Sequence, residues 1–227
     1  MKDFTNAQIA IEKEGEEYNA PLVLKVLAHI ISYLFHPVFI PIYVTLFLLY
    51  VHPSAFAGFS DESKQRTLLI IGLNLVLFPL ITVLLLKATG FVNSLYLKTQ
   101  KDRIIPYIAA GIFFFWTYTV FKEQPAYPSI LTVYIFGIFL SSSAALMANI
   151  YIKVSMHAIG TGGFLGLFII IMNINSMLMS WPIALVLLIT GIVCSSRLLL
   201  KNHQPIEIYI GLFIGIISQF VAAYIQL

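Results

Sequence analysis

Three side chains near the end of the chain could act together on an anionic group. Arg197, His203 and Glu207 lie in the segment 196–207, between two long apolar runs. Because His203 and Glu207 are four residues apart, they would share one face of a helix, and the carboxylate could hold the imidazole in one tautomer. Arg197 offers a planar fork for two oxygens of a phosphate or carboxylate. The alternative is a membrane-edge cluster, in which Arg197 and Lys201 extend toward lipid headgroups and Glu207 neutralises one of them.

The composition defines the class of protein. Of the 227 residues, 59% are hydrophobic and only 10% are charged, and the mean hydropathy is +0.92. A soluble domain of this length cannot bury so much apolar surface, so we expect an integral membrane protein. The net charge of +3 is small and dispersed, which argues against nucleic acid and leaves membrane lipids as the natural partner. The single cysteine, Cys194, excludes an internal disulfide and a cysteine-based metal site.

Seven apolar runs are each long enough to cross a membrane as a helix, with six crossings as the alternative count. The runs are 22–51, 68–88, 104–121, 129–152, 157–174, 179–200 and 206–227. The first contains His36, Pro37 and Pro41, so we expect it to be kinked, tilted or partly interfacial. None alternates as a membrane β-strand does. We therefore predict an all-α fold, a polytopic transmembrane helical bundle of about 6–7 spans, with a polar or interfacial tail over 1–21 and a single transmembrane domain over 22–227.

With seven spans, the loops after the second, fourth and sixth spans lie on one face of the membrane, together with the N-terminus. These loops hold Lys98, Lys101 and Arg103; Lys153, Ser155 and His157; and Arg197, Lys201, His203 and Glu207. Ten of the 13 Lys and Arg residues fall on this face. The positive-inside rule would explain that bias without an active site and would make the face cytoplasmic. It does not account for two histidines and a glutamate at the same level.

The segment after residue 195 resembles the third motif of the type 2 phosphatidic acid phosphatases, a superfamily that includes vanadium haloperoxidases. That motif reads Ser-Arg, five residues, His, three residues, Asp. Here Ser196 and Arg197 precede His203 and Glu207 at the same spacing, with Glu in place of Asp.

Two earlier stretches resemble the other motifs of the superfamily, in the same order. The second motif, Pro-Ser-Gly-His, is matched by Ser155 and His157 without its Pro and Gly. The first motif, Lys, six residues, Arg-Pro, is matched by Lys98 and Pro106, with Arg103 two residues before the arginine position. The resemblance covers roughly residues 95–227.

These residues suit phosphate chemistry on physical grounds as well. A phosphate monoester carries up to two negative charges, and its transfer depends mainly on fixing the oxygens and stabilising charge around phosphorus. Arg197, Lys98 and either Arg103 or Lys101 would supply that field. Ser155 adds a hydroxyl, and a helix that begins near it would direct free backbone N–H groups at the phosphate.

The histidines would carry the transfer in two steps. His203, oriented by Glu207, would attack phosphorus to give a phosphohistidine, and His157 would protonate the leaving alkoxide and then activate water. The resemblance implies the same three roles. No cofactor is expected, and the chain offers no compact carboxylate or Cys/His set for a metal.

The sequence thus predicts a lipid phosphatase that hydrolyses a phosphate monoester or diphosphate of a lipid. The alternative is a non-catalytic membrane protein, either a lipid-binding scaffold or a small transporter, with decayed motifs. We expect it in a bacterial inner (cytoplasmic) membrane. The site is placed on the extracytoplasmic face, where the family's lipid phosphatases usually work.

His36 lies outside the three motifs. A histidine within an apolar run could line a cavity, or it could mark a local kink at Pro37 with its imidazole satisfied nearby. The sequence leaves both interpretations open.

Overall fold

A computed structural model describes residues 20–52, 54–95, 97, 99–174 and 179–227. Over these residues the chain forms eight helices and no strand. They are α1 (Leu22–Leu34), α2 (Ile40–Val51), α3 (Asp61–Ala88), α4 (Gln100–Lys122), α5 (Ser129–Ala148), α6 (Met156–Ile174), α7 (Ser180–Leu199) and α8 (Pro205–Gln226). Six of them, α3 to α8, are long and apolar enough to cross a membrane. The predicted all-α polytopic bundle and its integral membrane character are confirmed, whereas most of the predicted tail lies outside the described residues.

Polar caps explain why two spans begin before their apolar runs. The Ser60 hydroxyl accepts the backbone N–H of Ser63, and an acidic first turn suits the positive end of the α3 dipole. The Thr99 hydroxyl accepts the N–H of Asp102 in the same way at the start of α4. Both helices therefore extend outward into a polar turn.

The first apolar run forms two short helices rather than one crossing. α1 ends just before Pro37, and α2 carries Pro41 in its own first turn. With 13 residues, α1 is about 20 Å long and falls short of a hydrocarbon core of about 30 Å. The structure therefore supports six crossings. The expected position of the N-terminal tail, on the same face as the motif loops, assumed that the first run crosses the membrane once. Without that crossing, the number of spans no longer places the tail on that face.

α1 and α2 form an N-terminal hairpin whose two helices meet beside the start of α6. Ser32, near the end of α1, contacts His157 in the first turn of α6. Ile40, which opens α2, lies against the next turn of α6. Farther along both helices, the Phe47 and Phe168 rings pack with centroids 4.5 Å apart. The hairpin thus turns back at the end of the bundle that holds the motif loops, which we call the motif end.

α6 is the central helix, and it packs on α8 through glycines. Of its apolar stretch, 72% is buried inside the bundle, against 17–39% for the other five spans. A Cβ at Gly162 would collide with the carbonyl oxygen of Leu212, and one at Gly215 with that of Ile159. Small residues of this kind let two membrane helices approach with their backbones in contact. The starts of α6 and α8, which carry the second and third motifs, are therefore held side by side.

Candidate functional site

The third motif forms a hydrogen-bonded pair at the start of α8. The Nδ1–H of His203 donates to Oε2 of Glu207 at 2.7 Å. Glu207 folds back from the first turn of α8 and also accepts the N–H of Gln204 at 3.3 Å, as part of a capping box. His203 lies just before the helix rather than on it. Because Nδ1 carries the proton, Nε2 of the neutral His203 ring keeps a free lone pair.

Burial is the main influence on the pKa of His203. Its side chain is only 5% exposed, and that of Glu207 is 17% exposed. Burial lowers the pKa of His203 below its ordinary value, the charges of Arg103 and Arg197 lower it further, and the Glu207 carboxylate opposes them. The net direction is downward. At neutral pH the imidazole is therefore uncharged, which is the form a nucleophile requires.

Arg103 is a buried cation that joins the first and second motif loops. Its Nε donates to the carbonyl oxygen of Leu97 at 2.9 Å, and its Nη1 donates to that of Val154 at 2.7 Å. The side chain is buried, yet its charge acts on both His203 and Glu207. The predicted phosphate ligand is thus fixed by backbone carbonyls, next to the histidine–glutamate pair.

Amide contacts hold the start of α4 in place. Gln100 and Asn149 exchange two hydrogen bonds of 2.8 Å, each from a side-chain amide to the other residue's carbonyl. The buried Asp102 carboxylate accepts the backbone N–H of Asn93 at 3.3 Å. The loops after α3 and α5 are therefore tied to the same turn that presents Arg103.

Arg197, in the last turn of α7, faces the N-terminal hairpin. Its Nη1 donates to the hydroxyl of Ser32 at 3.2 Å, while its Nε is buried without a hydrogen-bond partner among the described residues. A buried donor left unpaired costs about 1–3 kcal/mol, so an anionic oxygen would bind favourably there. The Arg197 charge acts on both His157 and His203. Arg197 thus lies within electrostatic reach of both imidazoles.

His157 is held by the N-terminal hairpin. Its Nε2–H donates to the carbonyl oxygen of Ser32 at 3.0 Å, and because a carbonyl only accepts, this contact fixes a proton on Nε2. The ring of His36 packs edge-on against it, with centroids 5.1 Å apart. His36 itself accepts the N–H of Val38 at 3.4 Å. His36 therefore lies at the kink with a satisfied nitrogen and also contacts a predicted site residue.

Ser155 links the second motif to the third. Its hydroxyl accepts the N–H of Ala158 at 3.4 Å, and its own N–H donates to the carbonyl oxygen of Glu207 at 3.2 Å. α6 begins at the next residue, so the expected helix start beside Ser155 is confirmed. The hydroxyl acts here as a helix cap, and the backbone joins α6 to α8.

A polar pocket of about 370 Å³ opens beside the histidine–glutamate pair. It is lined by Lys153, Leu198, Lys201, Asn202, His203, Gln204, Pro205 and Glu207. Lys153 and Lys201 were not among the predicted ligands, although both lie in the motif loops. An anion that reaches His203 through this pocket passes two ammonium groups.

Left-handed backbone occurs in two of the motif loops. Within the described chain, the non-glycine residues with positive φ are Leu97 (φ 47°) and Lys201 (φ 52°). Such conformations cost of order 1–3 kcal/mol and persist where surrounding contacts impose them. The carbonyl of Leu97 is held by Arg103, and the N–H of Lys201 donates to the carbonyl of Leu198 at 2.9 Å. The tight turn after α7 places His203 beside the start of α8.

The structure does not bring every predicted ligand into this cluster. Lys98 lies outside the described residues. Lys101 is exposed on the first turn of α4, and in the described chain no hydrogen bond or ion pair joins it to the other site residues. The sequence does not reveal that Ser32 contacts His157 and Arg197, because a single serine in an apolar run belongs to no motif. The sequence did give a signal for His36, because a histidine within an apolar run is costly to bury.

Comparison of the chain with protein-family models, with curated proteins and with solved structures found no significant match. The resemblance to the type 2 phosphatidic acid phosphatases therefore stays a prediction from motif spacing.

Proposed function

We propose that the protein is a membrane-embedded lipid phosphatase that hydrolyses a phosphate monoester or diphosphate of a lipid through a phosphohistidine intermediate. The observation that carries the proposal is the 2.7 Å contact between His203 and Glu207, made by a buried histidine in the field of Arg103 and Arg197. A scaffold that binds anionic lipid needs cations. It does not need an oriented imidazole with a free Nε2.

In the first step, Nε2 of His203 attacks phosphorus. A phosphorus–nitrogen bond forms and the bond to the ester oxygen breaks, while Glu207 stabilises the imidazolium that develops. Arg197 binds the phosphoryl oxygens through its guanidinium, and the neighbouring Arg103 charge stabilises the transition state. The leaving alkoxide takes a proton from His157, which enters the step as the imidazolium and leaves it neutral.

In the second step, His157 accepts a proton from water. The water oxygen attacks phosphorus, the phosphorus–nitrogen bond breaks, and its electron pair returns to Nε2 of His203. Inorganic phosphate is released, and both histidines regain their starting states. The transferred protons move only among His157, the substrate and water, because His203 keeps its Nδ1 proton throughout.

The N–H group that His157 would use is bound to Ser32 in this structure. A leaving-group oxygen must take the place of the Ser32 carbonyl at Nε2 before the proton can be transferred. The charges of a phosphate monoester also favour the imidazolium form of His157 in the complex. Substrate binding is therefore coupled to a small shift of α1 away from α6.

The test is phosphate release by the purified protein in detergent micelles. The panel is phosphatidic acid, phosphatidylglycerophosphate, lipid A and polyprenyl diphosphate, each with and without a metal chelator. We expect at least one substrate to be turned over, and we expect His203→Ala to abolish both turnover and the acid-labile phosphoenzyme. The matched control is His29→Ala, which changes an exposed histidine of α1. Turnover that survives in His203→Ala would refute the mechanism.

A second candidate is a non-catalytic membrane protein whose motif residues hold the helices together. It is favoured by one observation, namely that Ser32 already occupies polar atoms of both His157 and Arg197. This candidate predicts no phosphate release from any lipid of the panel and a loss of thermal stability in Ser32→Ala.

We also propose that the motif end faces the extracytoplasmic side of a bacterial inner membrane. Lys201 lines the pocket at that end, so a Lys201→Cys variant in a Cys194→Ala background reports its side. A membrane-impermeant maleimide should label position 201 in intact cells. Labelling that requires opened cells would place the site on the cytoplasmic face.

A further inference from the structure

An apolar groove lies between α1 and α7 and ends next to the candidate site. It has a volume of about 700 Å³ and walls that are almost entirely apolar, with Leu24, Ala28 and Ile31 on α1 facing Ala184 and Gly191 on α7. Ser195 and Ser196 supply the polar atoms at one end. That end adjoins Arg197 in the chain, and the opposite wall ends beside Ser32, to which Arg197 donates. The contact between Arg197 and Ser32 thus lies next to the end of the groove.

We propose that this groove binds a hydrocarbon chain of the same lipid whose phosphate Arg197 holds. The inference rests on the proposed function and names the part of the substrate that enters the membrane. Its occupant follows from charge and polarity. An anion is favoured at the buried Nε of Arg197, which has no hydrogen-bond partner among the described residues, and an apolar chain suits the walls of the nearby groove.

The length of the groove fits a long chain. Along α7 it runs from Ala184 to Leu199, a rise of about 22 Å. One leaflet of a bilayer contributes about 15 Å of hydrocarbon, half of a core of about 30 Å. A chain that fills the groove along the α7 wall is therefore longer than the hydrocarbon of one leaflet, which favours long acyl or polyprenyl chains over short ones.

Gly191 is a position in the groove lining at which a side chain can be added. A Cβ at Gly191 would meet no atom within 4 Å, and the same is true of Gly111 on α4, outside the groove. Gly191→Phe would place a ring in the groove, and Gly111→Phe is its matched control.

The experiment compares kcat/KM for long-chain phosphatidic acid with kcat/KM for the water-soluble p-nitrophenyl phosphate. We expect Gly191→Phe to lower the ratio of the two at least tenfold and Gly111→Phe to leave it unchanged. An equal ratio in the two variants would overturn the groove assignment.

A binding measurement separates this inference from the proposed function. A phosphatidic acid with a diazirine in its chain, photolysed on the wild-type protein, should label peptides of α1 and α7. Labelling confined to other helices would overturn the groove. Labelling of α1 and α7 without hydrolysis of any phosphate substrate would support the groove and refute the phosphatase.

Discussion

The carbonyl oxygen of Ser32 accepts a hydrogen bond from Nε2 of His157, although 125 residues of chain separate the two. The hydroxyl of the same serine accepts from Arg197. One residue of the N-terminal hairpin therefore contacts the proposed proton donor and the proposed phosphate clamp at once. In the proposed mechanism, the phosphoryl group competes with the Ser32 hydroxyl for Arg197, and the leaving-group oxygen competes with the Ser32 carbonyl for His157.

Removal of the Ser32 hydroxyl should tighten anion binding. In Ser32→Ala, Arg197 loses a competing acceptor while His157 keeps its carbonyl partner. A hydrogen bond of this kind contributes about 0.5–1.5 kcal/mol, so the inhibition constant of vanadate should fall roughly 2–10-fold. Ser143→Ala, which removes a hydroxyl bonded within its own helix at 3.0 Å, is the control. Weaker inhibition in Ser32→Ala than in the control would contradict the competition.

Arg197→Lys should impair catalysis although it keeps the charge. An ammonium group cannot reproduce the planar fork, and loss of one charged hydrogen bond of about 1.5–3 kcal/mol corresponds to a decrease of roughly 10–100-fold in kcat/KM. Arg66→Lys, an exposed residue of α3, serves as the control. Equal kcat/KM values for the two variants would show that Arg197 does not bind the phosphate.

Glu207→Gln should slow turnover by roughly 10²–10⁴-fold, as expected when a histidine loses the carboxylate that orients it. The amide oxygen can still accept from Gln204, so the helix cap and the fold are retained. Glu123→Gln, an exposed carboxylate after α4, is the matched control. The readouts are the phosphate-release rate and circular dichroism. Full activity with intact helicity would mean that Glu207 does not act on His203.

The pH profile should follow the downward shift of the His203 pKa. The neutral imidazole is the proposed nucleophile, so the acid limb of the kcat/KM profile should fall as pH drops through the His203 pKa, below the ordinary histidine value of 6.5. Glu207 raises this pKa. Glu207→Gln should therefore move the acid limb to still lower pH, in addition to reducing the maximal rate. An acid limb that moves to higher pH in Glu207→Gln would contradict this prediction.

Gly215→Ala should destabilise the bundle, because its methyl group would meet the backbone of α6. Overpacking of this kind costs about 1–3 kcal/mol. Gly191→Ala, whose methyl group meets no atom within 4 Å, should cause no such loss. Thermal unfolding in detergent compares the two, and equal midpoints would disprove the close approach of α6 and α8.

Much of the fold could be predicted because membrane helices are defined by long apolar runs. The spans and the motif loops after α3, α5 and α7 follow from hydropathy alone, and the spacing of His203 and Glu207 anticipates their contact. The first run was different. Hydropathy does not distinguish one kinked crossing from two short helices, and the choice depends on tertiary contacts of α1 with α7 and of Ile40 with α6.

The site was less predictable where backbone groups act as ligands. Arg103 is held by two carbonyls and His157 by one, and a carbonyl belongs to every residue, so no residue type signals these contacts. Lys101 is the opposite case. Its residue type and its position near a motif loop predicted a phosphate ligand, yet its side chain is exposed, away from the cluster.

The contacts of Ser32 also set an order for biosynthesis. Arg197 emerges from the ribosome 165 residues after Ser32, a delay of roughly 8–33 s at usual translation rates. For most of that time α1 lacks α7, the helix against which it mainly packs. α1 must therefore wait for one of the last helices to be made before the contact between Ser32 and Arg197 can form. A nascent chain that stalls before α7 would therefore lack both this contact and the guanidinium of the proposed site.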